Sequence, residues 1–223
     1  LNIPSTIPVY QAIVGSFVAI VVVKCLFGGI GCNFANPAIT ARVVMLIAFT
    51  GPMTHVVFPV QKVDTVATAT PLSALPMGGV EALDMFLGIR GGALGETSAA
   101  ALLIGFVYLL ARRIITWHTP VVFIGTVFLG SLAITGDVTA ALYYTLSGGL
   151  FIGAIFMATD YVTSPCTPWG KVIFGLGCGI ITLLIRFYGS YPEGVSFSIL
   201  LMNILNPYIE KWTMLKPLGG VKA

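Results

Sequence analysis

Charge is what this sequence most lacks. Asp, Glu, Lys and Arg together make up 9% of its 223 residues, against 57% that are hydrophobic, and the mean hydropathy is +0.99. A soluble domain carries about a quarter charged residues, because a folded surface has to be hydrated. A chain this poor in charge is solvated by lipid. The same scarcity excludes a disordered chain and a nucleic-acid binder, which needs a basic stripe for phosphates. Cysteine is sparse as well: Cys25, Cys32, Cys166 and Cys178 form no CxxC pair, so they read as buried free thiols behaving as small hydrophobes. Cys25 and Cys32 share a Gly-rich turn, but nothing around them supports a metal or cluster. Nucleotide and metalloenzyme motifs (GxGxxG, Walker A, HExxH) are missing too, so no catalytic side chain and no metal site is expected. His55 and His118 stand far apart and read as interfacial residues.

What the sequence does have is long apolar runs. Leu1–Val23, Val43–Gln61, Thr97–Ala111, Ile114–Gly136, Val138–Thr159, Val172–Ile185 and Gly194–Ile209 are apolar stretches of helical length. About 20 residues of helix cross the hydrocarbon core, and shorter runs cross by extending through flanking residues or thinning the bilayer. No period-2 alternation suggests a barrel, so the spans are helices. The expected fold is all-α: a polytopic membrane bundle of about seven transmembrane helices, a single membrane domain over residues 1–223. Threading the spans alternately puts Lys24, Arg42, Arg112, Arg113, Lys171, Lys211, Lys216 and Lys222 on one side and Lys62, Arg90 and Arg186 on the other. Loops rich in Lys and Arg stay cytoplasmic. The carboxyl terminus is therefore expected inside, and the connection over residues 59–96 outside. Because the chain opens on Leu1 without a charged leader, an amino-terminal portion is expected to precede it.

Three segments are punctuated by glycine and proline: Phe27–Arg42, the 59–96 connection, and Thr159–Lys171. Broken backbone at membrane depth is tolerated where it lines a cavity or faces protein, and it points to binding sites in transporter folds. Glu96, Asp160 and Glu193 each sit at the broken end of an apolar span. They are either helix caps and ion-pair partners or members of an ion path, since ionisable groups at membrane depth are costly. Thr97 or Ser98 is expected to cap the helix that follows, with Glu96 near its positive end. Ile89–Ser98 and Ile185–Ser196 share an Ile-Arg, glycine, acid, hydroxyl order that hints at an internal repeat.

The run KVDTVATATPLSALPMGG, Lys62–Gly79, is the most informative. Its DxxxxATP pattern resembles the flavinylation motif of the membrane D subunit of the Rnf complex and of the B subunit of the sodium-translocating NADH:quinone reductase. FGGIGCNFANPAITAR, GETSAAALLIG, TDYVTSPCTPWGKVIFG and YPEGVSFSILLMNILNP resemble further signatures of the same family, in the expected order. The TSPCTPWGK run is closer to the Rnf D subunit. The resemblance covers the chain as the carboxyl-terminal two-thirds of such a protein.

The resemblance implies covalent FMN, joined by a phosphodiester to Thr70 within Thr68-Ala69-Thr70-Pro71, with Asp64 as the motif's acid. Ala67 departs from the pattern, where Ser or Thr is commoner, and leaves Thr68 and Thr65 as alternative acceptors. Helix-start amides near Glu96, Thr97 and Ser98 would meet polar atoms of the flavin. A second, noncovalent flavin is a further expectation. The function implied is electron transfer between ferredoxin and NAD coupled to sodium or proton movement, by a relay subunit that is not the NAD site. The implied partners are the other Rnf subunits, a flavin transferase and the lipid bilayer of a prokaryotic cell membrane. The alternatives are the quinone-reductase subunit and a non-redox secondary transporter or channel.

Overall fold

The computed structural model describes residues 3–4, 7–54, 86–88, 95, 97–189 and 194–214. Among these residues all regular structure is helical. The two longest apolar helices form the centre. Helix α5, His118–Thr135, and helix α8, Pro168–Tyr188, are each long and apolar enough to cross a membrane. At about 1.5 Å rise per residue α8 is about 31 Å long, close to the thickness of the hydrocarbon core. Its start is specified locally. Thr167 accepts from the Gly170 amide at 3.1 Å, and Pro168 occupies the first turn, where a missing N–H costs nothing.

The two helices run parallel because glycines let them touch. A Cβ on Gly175 would stand 2.9 Å from the Thr119 carbonyl, one on Gly179 2.6 Å from Thr126 Cβ, and one on Gly130 2.1 Å from Leu183. Small residues that admit a neighbouring backbone are how helices pack when lipid offers no hydrophobic drive. Between them the chain returns as a broken span: α6, Val138–Leu146, then α7, Leu150–Ile152, which continues as a π-helical stretch, Gly153–Met157. The two halves bend by 62°. Helix α9, Val195–Thr213, lies along α8, with Gly177 receiving Met202.

Helix α1, Val9–Phe17, runs on as a π-helical stretch, Val18–Cys25, and packs on α2, Pro37–Ala48, where Gly15 admits Met45. Phe49 leaves helical geometry (φ −132°), and α3, Thr50–Thr54, follows. Helix α4, Ala99–Ala111, rests on the broken span, Gly105 against Phe156. The core joins α2, α5, α8, α9 and the broken span through Ile39, Phe123, Leu150, Phe174, Cys178 and Ile199.

Exposed aromatics mark two levels. Trp169 and Trp212 are 74% and 77% exposed at adjoining ends of α8 and α9, and Tyr188 is 81% exposed at the far end of α8. Amphipathic rings of this kind collect at the two interfaces of a bilayer.

Several sequence expectations change. The helix expected over Val43–Gln61 begins at Pro37, because Asn36 and Pro37 supply the start signals, and is interrupted at Phe49. The run Val138–Thr159 is one span by composition but is broken at Ser147-Gly148-Gly149. Counting that bent pair once, three spans meet the length and hydropathy test among the described residues, alongside shorter apolar helices. Arg42 is not a loop charge but a buried residue inside α2. Cys178 is buried, whereas Cys25, Cys32 and Cys166 are exposed, since the last two lie in turns rather than in the packed core.

Candidate functional site

The break in the α6–α7 span is built from three residues. Ser147 is buried and its amide donates to the Tyr143 carbonyl at 3.0 Å. Gly148 and Gly149 then take left-handed geometry, φ 68° and 65°, which glycine adopts without a Cβ penalty. A helix ending here leaves carbonyls without intrahelical partners and carries the negative end of its dipole. Arg186, in the last turn of α8, answers both. Its guanidinium donates to the carbonyls of Tyr144, Ser147 at 3.0 Å and Gly148 at 3.4 Å. On the other side of the break Arg42, 7% exposed, lines a cavity of about 10 Å³ with Gly148, Gly149, Ile152, Gly153 and Ser196. That is room for about one water.

A second polar cluster lies where the broken span, α2, α8 and α9 meet. Asn36 caps α2 by accepting from the amides of Ala38 at 3.0 Å and Ile39 at 3.3 Å. Its own amide donates to the Met157 carbonyl at 3.3 Å. Asn203, buried in α9, is oriented so that its nitrogen donates to the Thr163 carbonyl at 3.2 Å and its oxygen accepts from the Asn36 N–H at 3.1 Å. The segment between α7 and α8 is fastened again further on. The Cys166 amide donates to Glu210 at 3.2 Å, and the Thr167 hydroxyl to that of Thr213 at 2.7 Å. The Glu210 carboxylate, aided by partial burial, raises the Cys166 thiol above its ordinary pKa.

Both clusters use segments punctuated by glycine, proline and asparagine, and nearly the whole chain matches one family model. The NQR2, RnfD, RnfE family model covers residues 1–219. The chain belongs to that family. It is 44% identical to the D subunit of the Na(+)-translocating ferredoxin:NAD(+) oxidoreductase complex of Acetobacterium woodii, over 99% of this chain and 70% of the relative. It is also 44% identical to the D subunit of the proton-translocating ferredoxin:NAD(+) oxidoreductase complex of Clostridium ljungdahlii, over 95% and 69%. The D subunit of the ion-translocating oxidoreductase complex of Stutzerimonas stutzeri is 38% identical, over 95% and 70%.

Within this RnfD-like family member, Asp64, Thr68, Ala69, Thr70, Pro71, Glu96 and Glu193 lie outside the described residues, as does most of the 59–96 connection. Ser98 is placed as expected: it caps α4, accepting from the Ala101 amide at 3.2 Å. Thr97 immediately precedes that cap. Gly88, at φ 99°, lies against it, so close that a Cβ there would stand 2.8 Å from Ser98 Cβ. Gly88 of the connection is thus seated on the start of α4. Asp160 belongs to the other cluster: it is half-buried, accepts from the Thr163 hydroxyl at 3.0 Å, and has the contacts of a turn cap. His118 stacks on Trp117, ring centres 4.3 Å apart.

Sequence reasoning missed Asn36, Asn203, Arg42 and Arg186 as a working set. The signals were present: two asparagines and two arginines at or inside apolar helices, where each needs a partner, and a Gly-Gly pair inside an apolar run.

Proposed function

We propose that this chain is the membrane electron-transfer subunit of an Rnf-type complex, carrying FMN on Thr70 and helping couple electron flow between ferredoxin and NAD to sodium or proton movement. One observation carries the reading. Similarity to D subunits named for that reaction extends over nearly the whole chain, and within it Asp64–Pro71 keeps the DxxxxATP pattern. Two relatives of equal identity are named for different ions, so overall similarity leaves the choice of ion open.

The residues fit such a group. A threonine hydroxyl is the nucleophilic oxygen a phosphodiester needs, and side chains as small as those of Ala67, Ala69, Gly78 and Gly79 would not obstruct a transferase. Gly88 packs on Ser98, the cap of α4, and the amides opening that helix suit an electron-rich ligand. Bound flavin supplies one-electron chemistry, while the protein supplies position and electrostatics. A covalent tether keeps the cofactor at high effective concentration. Glu96, Asp160 and Glu193 are the acids proposed for the ion path.

The bent span would equally suit a non-redox transporter, and flavin separates the two readings. Expressed with a flavin transferase, the protein should run as a fluorescent band on a denaturing gel, and its tryptic peptide Val63–Arg90 should carry the mass of FMN less one water. Loss of both signals in Thr70→Ala supports Thr70; persistence moves the assignment to Thr68. A dark native band overturns the redox reading.

A further inference from the structure

Among the described residues Arg113 alone has a positive φ, 55°, without being glycine. Helix α4 closes around it. The Arg113 amide donates to the Leu110 carbonyl at 2.9 Å and the Ile114 amide to the Leu109 carbonyl at 3.0 Å, the paired bonds that end a helix at a left-handed residue. Glycine ordinarily takes that place, because an L side chain there is strained. The closure uses backbone groups only. Arg112, in ordinary helical geometry, already sets a positive charge at the negative end of the α4 dipole. Neither role calls for an arginine at 113, and strain kept where an easier residue would serve points to a use for the side chain.

The surroundings identify that use. Arg112 and Arg113 are exposed, and neither guanidinium meets an acid or a hydrogen-bond acceptor among the described residues. Ile114 and Trp117, in the same short connection, are exposed as well. Helix α5 then opens without a side-chain cap, which adds the positive end of its dipole. The Thr119 hydroxyl donates to the Lys171 carbonyl at 3.5 Å, so the first turn of α8, with its exposed Trp169, adjoins the start of α5. Unpaired cations interleaved with apolar and indole side chains suit a headgroup phosphate and the acyl chains below it. We propose that the α4–α5 connection binds the phosphate of an anionic phospholipid through Arg112 and Arg113. The planar fork of an arginine takes two phosphate oxygens at once, which a mere excess of positive charge on one side does not require. Free phosphate has no apolar part to meet Ile114 and Trp117. This inference stands apart from the flavin at Thr70 and survives if that reading fails.

The test titrates the assembled, delipidated complex in detergent with phosphatidylglycerol or with phosphatidylcholine of the same acyl chains, counting bound lipid by native mass spectrometry. Arg113→Gly should weaken one phosphatidylglycerol site per complex about fivefold and leave phosphatidylcholine binding unchanged. It should also melt no lower than the native complex in lipid-free detergent, because glycine relieves the left-handed strain. Lys211→Gln, which removes a positive charge from the last turn of α9, should bind phosphatidylglycerol as the native chain does. Unchanged phosphatidylglycerol binding by Arg113→Gly, whatever its melting point, overturns the proposal. So does an equal loss in Lys211→Gln, which would mark a general charge effect, or displacement of the lipid by equimolar inorganic phosphate, which would mark a free-anion site. If Arg113→Gly does not assemble, Arg113→Asn, uncharged and tolerant of the same geometry, decides by the same lipid titration.

Discussion

Asn203 shows how much one side chain holds in this molecule. Its amide satisfies the Thr163 carbonyl on one side and the Asn36 N–H on the other, and all three residues are buried. Asn203→Leu keeps the branched shape, at a somewhat larger volume, but strands both backbone groups, at a cost of about 1–3 kcal/mol. Thermal unfolding of the purified protein should show a lower midpoint, and an unchanged midpoint would mean that the bridge contributes nothing. Cys166 gives a pH-dependent check on the same region. Because Glu210 raises its thiol pKa, the thiolate fraction at mildly alkaline pH is smaller than for an ordinary cysteine. Glu210→Gln removes the negative charge, lowers that pKa, and should speed alkylation of Cys166 at about pH 8, the gain shrinking as pH rises and both forms become thiolate. Equal rates would place the carboxylate away from the thiol.

At the level of elements, legibility follows the kind of signal. Helices α5 and α8 stand out as apolar runs, and the Ser98 cap follows from a hydroxyl ahead of such a run. Helix starts at Pro37 and Pro168 are shifted from the apolar boundaries because caps, not hydropathy, set them. The bend in the broken span is passed over by a hydropathy average, since three uncharged residues, Ser147-Gly148-Gly149, are diluted by the apolar residues around them. The Gly-Gly pair marks a break in the sequence, and the left-handed geometry of both residues turns that break into a bend. The convergence of Arg42 and Arg186 on that bend joins residues 144 positions apart in the chain, which no local pattern encodes. Gly149→Ala tests the element itself. An L side chain in that geometry costs roughly 1–2 kcal/mol, so the variant should melt at a lower temperature, whereas Gly136→Ala, at a turn with open space around it, should show only the backbone strain common to both. An effect at Gly149 no larger than at Gly136 would mean that the break adds no packing constraint of its own.

For the whole molecule, aromatic side chains at both ends of α8 and the scarcity of charge describe a body made for a bilayer. The distribution of Lys and Arg predicts a cytoplasmic carboxyl terminus, even though Arg42 and Arg186 are helix residues rather than loop markers. A cysteine introduced at Lys222 should therefore be shielded from an impermeant reagent in sealed cells and react after permeabilisation; labelling in sealed cells would invert the topology. The central proposal is that this RnfD-like chain carries its flavin on Thr70. The most direct measurement is the intact mass of the denatured protein, matured with its transferase, beside Thr70→Ala. The expected result is a native mass heavier by FMN less one water and a variant at the mass of its bare sequence; a native chain at bare mass, or a variant still carrying the addition, would contradict the claim.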